Sequence, residues 1–527
     1  MTISSWERFK EYLYYDQELG LTLDISKMNF SADYFPAMAD KMNKVYQELD
    51  LLEKGALANP DEGRMVGHYW LRNPELAPTE EIAQAIKGTV SDILAFAEDI
   101  HEGRICGEKG KTFTKILLIG IGGSCLGPQF AAEALASGQD KLKPFFIDNG
   151  DPDGIDRVLQ VIGDDLERTL CIVISKSGGT IETRNGMLEV KCRYEASGLT
   201  FEKHAVVITM PGSKLEELAK AQGWLKVFPM WDWVGGRTSV LSAVGLLPLA
   251  LQGVDIKQFL LGAKDCDART RRRDTRQNPG ALLALMWYHA TKGQGGKEMV
   301  MLPYKDRLEL FSKYLQQLVM ESLGKEKSLK GETVHQGIVV YGNKGSTDQH
   351  SYLQQLLEGP DNFFVTFIEV LKGRDGFSPR IAENSTSGEY LQAFMLGTRE
   401  ALSQKGRESL TITVKEINAY TLGVLIALFE RAVSIYALLV EINAYHQPAV
   451  EMGKKAAGEY INLKNQVLEF LKSQPGKKHR VPEIAQAIHA SEQQEIIFKL
   501  LLHLASNPDH GVKMEEGSPI LESRFYI

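Results

Sequence analysis

Lys115-Ile116-Leu117-Leu118-Ile119-Gly120-Ile121-Gly122-Gly123-Ser124 is the stretch whose reading decides the fold. Ile116 to Ile119 are apolar and branched or bulky, the composition of a strand buried on both faces. Beyond the glycines, Leu126-Gly127-Pro128 leads into Gln129–Leu135, a helix-forming segment. Strand, glycine turn and helix in that order aim backbone N–H groups and a helix N-terminus at an anion. The glycines allow close backbone approach, and Ser124 adds a hydroxyl donor. No Gly-Lys-Ser/Thr follows, so this is not a Walker loop, and the third glycine of the dinucleotide fingerprint is missing. Taken alone, the turn reads equally well as a tight strand-to-helix connection.

Working outward, Thr169–Ile174 is a second buried strand. It runs into Ser175-Lys176-Ser177-Gly178-Gly179-Thr180, and Ile181 to Asn185 then starts a helix. Several hydroxyls and one lysine at the carboxyl end of a strand suit a phosphate monoester, which is held by many donors. Further strand-like runs at Pro144–Ile147 and Ala205–Thr209 alternate with helical segments. One helix starts with Ser213 and Glu216 in capping-box spacing. The alternation predicts a parallel sheet covered on both faces over residues 111–290. A second alternating region, 291–460, opens with a strand at Glu298–Tyr304 and a helix from Leu308 to Glu321. Gln317 and Glu321 share one face of that helix, and Gly324 suits its C-cap.

In this order the motifs resemble those of the glucose-6-phosphate isomerase family. Gly120 to Pro128 resembles its first signature, and Ser175 to Thr183 the sugar-phosphate loop of its sugar-isomerase (SIS) domain. Asp232-Trp233-Val234-Gly235-Gly236-Arg237-Thr238-Ser239 resembles its Gly-Gly-Arg signature. Glu321-Ser322-Leu323-Gly324-Lys325 resembles Glu-Ser-Asn-Gly-Lys, with Leu323 in place of the usual asparagine. Gly342 to Gln354 is similar to the segment with the catalytic histidine, but longer between its glycine and Gln349-His350. Gln447-Pro448-Ala449-Val450-Glu451-Met452-Gly453-Lys454 is the last match, and Pro448 marks a helix start.

The resemblance implies an α/β fold with two SIS-type parallel-sheet sandwich domains. It implies reversible isomerisation of glucose 6-phosphate and fructose 6-phosphate, without cofactor or metal, in a homodimer whose active site is shared. It makes Glu321 the base, Arg237 the cation facing the enediolate, and His350 with Lys454 the ring-opening pair; Lys455 competes for the lysine role. It makes Gly123, Ser124, Ser175, Lys176, Ser177, Thr180, Gly236, Gln317 and Gln447 substrate contacts. Read one at a time, these residues are ordinary: a helix-end glutamate in solvent, an arginine in a surface ion pair, a structural histidine. Two other readings of the set are a non-catalytic SIS-domain sugar-phosphate sensor and an SIS isomerase acting on a related sugar phosphate. A sensor has no need of Glu321, Arg237, His350 and Lys454 together.

The flanks carry less chemistry. Residues 1–110 read as helical, with helices at Met38–Leu52 and Glu80–Ile100, packing on the first α/β domain and holding no catalytic constellation. Arginines and aspartates interleave over 265–278, the pattern of a solvated helix face. Residues 461–527 read as three helices and a hairpin, a small winged-helix-like module. Its eight Lys/Arg balance eight Asp/Glu, which is no footprint for DNA.

The 527 residues carry a net charge of −8, which makes nucleic acid an unlikely partner. Glu430 and Arg431 interrupt the apolar stretch Thr421–Val440, so it reads as a core helix, not a membrane span. Five scattered cysteines and no signal peptide point to a reducing, cytoplasmic setting.

Overall fold

The structure is a computed structural model that describes residues 4–382 and 384–527. Within the helix Pro448–Ser473, the side chains of Val450, Glu451, Met452, Lys454 and Lys455 lie outside the described set. The chain divides into two units, Met1–His446 and Gln447–Ile527.

The larger unit is built on two sheets. In chain order its strands begin with a hairpin, β1 (Leu13–Asp16) and β2 (Leu21–Asp24). Then come β3 (Lys115–Ile119), β4 (Lys143–Ile147), β5 (Thr169–Ser175), β6 (Ala205–Thr209) and β7 (Lys226–Pro229). After β8 (Glu298–Pro303) follow a small hairpin, β9 (Lys325–Lys327) with β10 (Thr333–Gln336), and then β11 (Val340–Tyr341) and β12 (Phe363–Val370). A second small hairpin, β13 (Arg380–Ala382) with β14 (Ser385–Thr386), precedes β15 (Ser409–Val414). The first sheet is parallel, in the order β4-β3-β5-β6-β7. The second has the order β1-β2-β15-β12-β8-β11, parallel from β15 to β11.

Neighbouring residues of each strand enter different cores, which is why the strands read as unbroken apolar runs. Ile116, Leu118, Ile172 and Ile174 join one large core with Met299, Met301, Phe364 and Ile412 of the second sheet. Leu117, Ile119, Val173 and Val207 pack on the first sheet's other face. Val300, Leu302, Val365 and Phe367 do the same for the second sheet. The helix Ala419–Leu439 is long and apolar enough to cross a membrane, yet 94% of its most apolar 18-residue window is buried inside the protein.

Three expectations need correction. The first 110 residues are not helical throughout: β2 pairs antiparallel with β15 and so extends the second sheet, not the first. Alternating burial along Leu21 and Leu23 supplies the reason, since both point into the core. The arginine-rich stretch is only in part a solvated face: Arg272 and Arg273 are exposed, but its other arginines turn inward. Asp267 is fully buried, with Arg72 Nε at 2.7 Å and Arg431 Nη2 at 3.3 Å; Arg72 also pairs with Glu430, and Arg271 reaches Glu53 at 2.6 Å. Finally, no break occurs near residue 460, because one helix runs from Pro448 to Ser473. The segment holds glycines but no proline past Pro448, and a packed helix tolerates glycine.

The smaller unit consists of that helix, the helices Val481–Ala487 and Gln494–Ser506, and the hairpin β16 (Lys513–Glu515) with β17 (Arg524–Tyr526). Val467, Leu471, Ile484, Ile497, Leu501 and Phe525 form its own core.

Candidate active site

The first sheet's strands β3 and β5 end side by side, and the loops beyond them form one wall of the site. Gly122 adopts φ +58°, a conformation that favours glycine, and opens the short helical turn Gly122–Ser124 ahead of the helix Leu126–Leu135. Gly123 is glycine for a different reason. A Cβ there would lie 2.1 Å from the Gly236 carbonyl oxygen, so the two glycine motifs touch backbone to backbone. Ser239, fully buried, donates its hydroxyl to the Gly236 carbonyl at 2.7 Å and also lies 3.3 Å from the Gly123 carbonyl.

In the second loop the Ser175 hydroxyl donates to Thr180 Oγ1 at 3.0 Å, and the Gly179 N–H donates to Ser177 Oγ at 3.2 Å. Lys176 turns away from this hydroxyl cluster. Its Nζ donates to the carbonyls of Asp232 at 2.9 Å and Val234 at 2.7 Å, so it ties this loop to the Gly-Gly-Arg loop. Burial brings the Lys176 amine down to about 8.

Arg237 and Glu321, far apart in sequence, meet with Nε 3.4 Å from Oε2. Arg237 is buried and also donates from Nη2 to the His446 carbonyl at 3.2 Å. Glu321 ends a π-helical turn, Gln316–Glu321, which continues the short α-helix Phe311–Leu315. The sequence predicts an uninterrupted helix from Leu308; the wider turn is a tertiary effect, of a kind that recurs at functional sites. Leu315, Leu318, Val319 and Leu323 are all packed into the core, which leaves Gln317 and Glu321 on the open side. Leu323 therefore serves packing, not the site. Gln317 reaches the first loop: its Nε2 lies 3.2 Å from where a Gly122 Cβ would stand.

Sequence reasoning gave three features here no role. Lys325 closes the Glu-Ser-Leu-Gly-Lys motif, and its Nζ donates to the Glu321 carbonyl at 2.5 Å. Burial, with the Arg237 cation nearby, brings its amine down to about 7. The only available signal was its place in the motif. Ser239 closes the stretch with the Gly-Gly-Arg signature, but nothing in the sequence links it to Gly123. The loop Asn59–Arg64, in the segment read as mere packing, also borders the site. Asp61 accepts from Asn443 Nδ2 at 2.5 Å, Glu62 pairs with Arg64 at 2.9 Å, and the Glu62 charge acts on both Lys176 and Arg237. The Gly67 N–H donates to the Trp233 carbonyl at 2.9 Å and anchors this loop to the Gly-Gly-Arg segment.

The structure thus brings together Gly123, Gly236, Arg237, Gln317 and Glu321, while Ser175, Ser177 and Thr180 cluster in the loop that Lys176 braces. His350 is exposed at the end of the short turn Thr347–His350. That turn is fixed through Asp348, which accepts from the Asn343 N–H at 2.7 Å and from the Tyr352 hydroxyl at 2.5 Å. Gln447 precedes the first helix of the smaller unit and is exposed. The Lys454 side chain falls outside the described residues, as does that of Lys455.

Two α/β sheets with parallel cores, one carrying a glycine–serine cradle at its carboxyl edge, define a protein of the SIS type. A model of the family "Phosphoglucose isomerase" matches residues 24–472. A glucose-6-phosphate isomerase of Desulfitobacterium hafniense (strain Y51) is 74% identical over 527 residues, covering 100% of this chain and 99% of its own. Another, from Geobacter sulfurreducens, is 59% identical over 521 residues, 99% of this chain and 98% of its own. The crystal structure of a glucose-6-phosphate isomerase from Chlamydia trachomatis superposes with a TM-score of 0.79 at 27% identity, covering 87% of this chain and 91% of that one. This chain belongs to the phosphoglucose isomerase family.

Proposed function

We infer that this chain is an aldose–ketose isomerase that interconverts glucose 6-phosphate and fructose 6-phosphate. The observation that carries the reading is the Arg237–Glu321 pair, held 3.4 Å apart beside the two glycine loops. The substrate phosphate sits in the cradle of Ser124, Ser175, Ser177 and Thr180, with Gly123 and Gly236, packed backbone to backbone, contacting the substrate beside it. Lys176 positions the cradle through its two carbonyl contacts.

The reaction moves one proton between C2 and C1. Glu321 takes it from one carbon and returns it to the other through a cis-enediol intermediate. Negative charge then develops on oxygen, and the buried Arg237 guanidinium is a fixed cation for it. Gln317, on the same side of the wide turn, orients the sugar hydroxyls. Ring opening comes first: a proton leaves the C1 hydroxyl and one arrives at the ring oxygen. His350 carries this step with Lys454 and Gln447 at the sugar, in a homodimer whose site is shared. The exposure of His350 suits such sharing. The compartment is the cytoplasm, in keeping with five free thiols.

Glu321→Gln keeps size and hydrogen bonding but removes the base. In a coupled assay with fructose 6-phosphate, kcat should fall at least about 10²–10⁴-fold while substrate affinity persists. Near-normal kcat in a homogeneous preparation would remove Glu321 from this role. An inactive wild type that still binds sugar phosphates would favour a sensor.

A further inference from the structure

The two sheets of the larger unit repeat one wiring. In the first, β3 leads through the turn Gly122–Ser124 to a helix, and β5 leads through the cradle loop to the helix Ile181–Ala196. In the second, β8 leads through the turn Asp306–Leu308 to a helix, and β12 leads through a long loop to the helix Ser387–Gln404. The spatial orders match as well, β4-β3-β5-β6 against β11-β8-β12-β15. The loops after β8 and β12 are therefore the counterparts of the phosphate cradle. They frame a cavity of about 530 Å³, a size suited to a small metabolite.

Four cations line that cavity: Lys305 and Arg307 after β8, Lys372 and Arg374 after β12. Lys372 is neutralised by Asp375 at 2.6 Å and Glu416 at 2.7 Å. Asp140, also in the lining, is held by Ser137 and by Gln252 Nε2 at 3.0 Å. The other three cations are in no ion pair among the described residues. Lys305 donates to the carbonyls of Lys372 at 3.0 Å and Gly373 at 2.5 Å, and Arg307 to those of Ala134 at 3.1 Å and Ala136 at 2.6 Å. Burial, then the Arg307 charge, lowers the Lys305 amine from its ordinary value against the opposing carboxylates of Asp375 and Asp306. Set against the lining's three carboxylates, Asp140, Asp375 and Glu416, the four cations leave one net positive charge, and the cations without a carboxylate partner of their own among the described residues favour an anion.

We propose that this cavity is a second anion site, the counterpart of the cradle in the repeated sheet, which holds a small phosphorylated metabolite through Lys305, Arg307 and Arg374. As a counterpart of the cradle, this site rests on the first-sheet loops holding the phosphate; its cations stand independently of that. Equilibrium dialysis of the full chain against radiolabelled inorganic pyrophosphate tests it. Bound pyrophosphate should survive the Ser177→Ala/Thr180→Ala change in the cradle. Arg374→Glu, an exposed position, should weaken this cradle-independent binding about tenfold or more, the loss of a charge-assisted contact. Lys305→Gln should weaken it in the same direction, and both variants should isomerise sugar phosphate with wild-type kcat and KM. The proposal fails if no pyrophosphate binds at millimolar concentration, if the cradle change abolishes all binding, or if neither cavity variant alters the cradle-independent part. Binding lost only in the cavity variants would uphold the proposal and count against the cradle.

Discussion

Gly123→Ala is the most direct test of how the two glycine motifs make one site. The added methyl carbon would lie 2.1 Å from the Gly236 carbonyl oxygen and 2.2 Å from its carbon. Both are backbone atoms, so no side chain can swing away. Restoring an ordinary 3.4 Å contact means parting the loops by more than 1 Å. That shift separates Ser124 from Arg237, the residues proposed to hold the phosphate and to face the enediolate. A misplacement of about 1 Å costs roughly 100-fold in turnover, or about 2.7 kcal/mol of transition-state stabilisation. The mirror change, Gly236→Ala, meets nothing closer than the Gly123 Cα at 3.9 Å. Coupled assays and thermal melts on both variants should show kcat/KM falling far more in Gly123→Ala than in Gly236→Ala. Gly123→Ala with kcat/KM within about twofold of wild type, in folded protein, would refute the reasoning, because a loss that size is only about 0.4 kcal/mol.

Ser177→Ala with Thr180→Ala should raise KM strongly and change kcat less, since each lost charge-assisted bond is worth about 1.5–3 kcal/mol; an unchanged KM moves the phosphate elsewhere. Lys325, with its amine near 7 when folded and at the ordinary lysine value when unfolded, lets the unfolded chain bind more protons between those values. Its contribution to stability therefore rises with pH above about 7, and Lys325→Met should show a smaller gain in Tm from pH 7 to pH 9 than wild type, read by calorimetry; parallel pH dependence in the two proteins would contradict this. Arg72→Met takes from buried Glu430 its ion-pair partner and leaves Asp267 to Arg431 and Arg271, so it should cost about 3–5 kcal/mol and lower Tm markedly in calorimetry; an unchanged Tm would contradict this.

Much of this protein was legible in the chain itself. The strands at 115–119, 169–174 and 205–209 follow from runs of branched apolar residues, because a strand covered on both faces needs no polar alternation. The order of Gly120–Ser124, Ser175–Thr180, Gly235–Arg237 and Glu321–Lys325 carried the family, and the match over residues 24–472 agrees with it. Tertiary structure decided the rest. Neither Arg237 nor Glu321 announces its partner, since their approach depends on loops from different strands closing over one core. The wide turn that presents Gln317 and Glu321 arises where core packing sets the spacing, which local propensity does not encode. The arginines of 265–278 look solvated because their counterions, Glu53 for Arg271, Asp16 for Arg269 and Asp50 for Arg273, lie far away in sequence. Lys325 looks like any lysine until burial beside Arg237 lowers its amine. Local sequence sets which segments form strands, helices and turns; the charges and distances that make chemistry are properties of pairs, and only folding chooses the pairs.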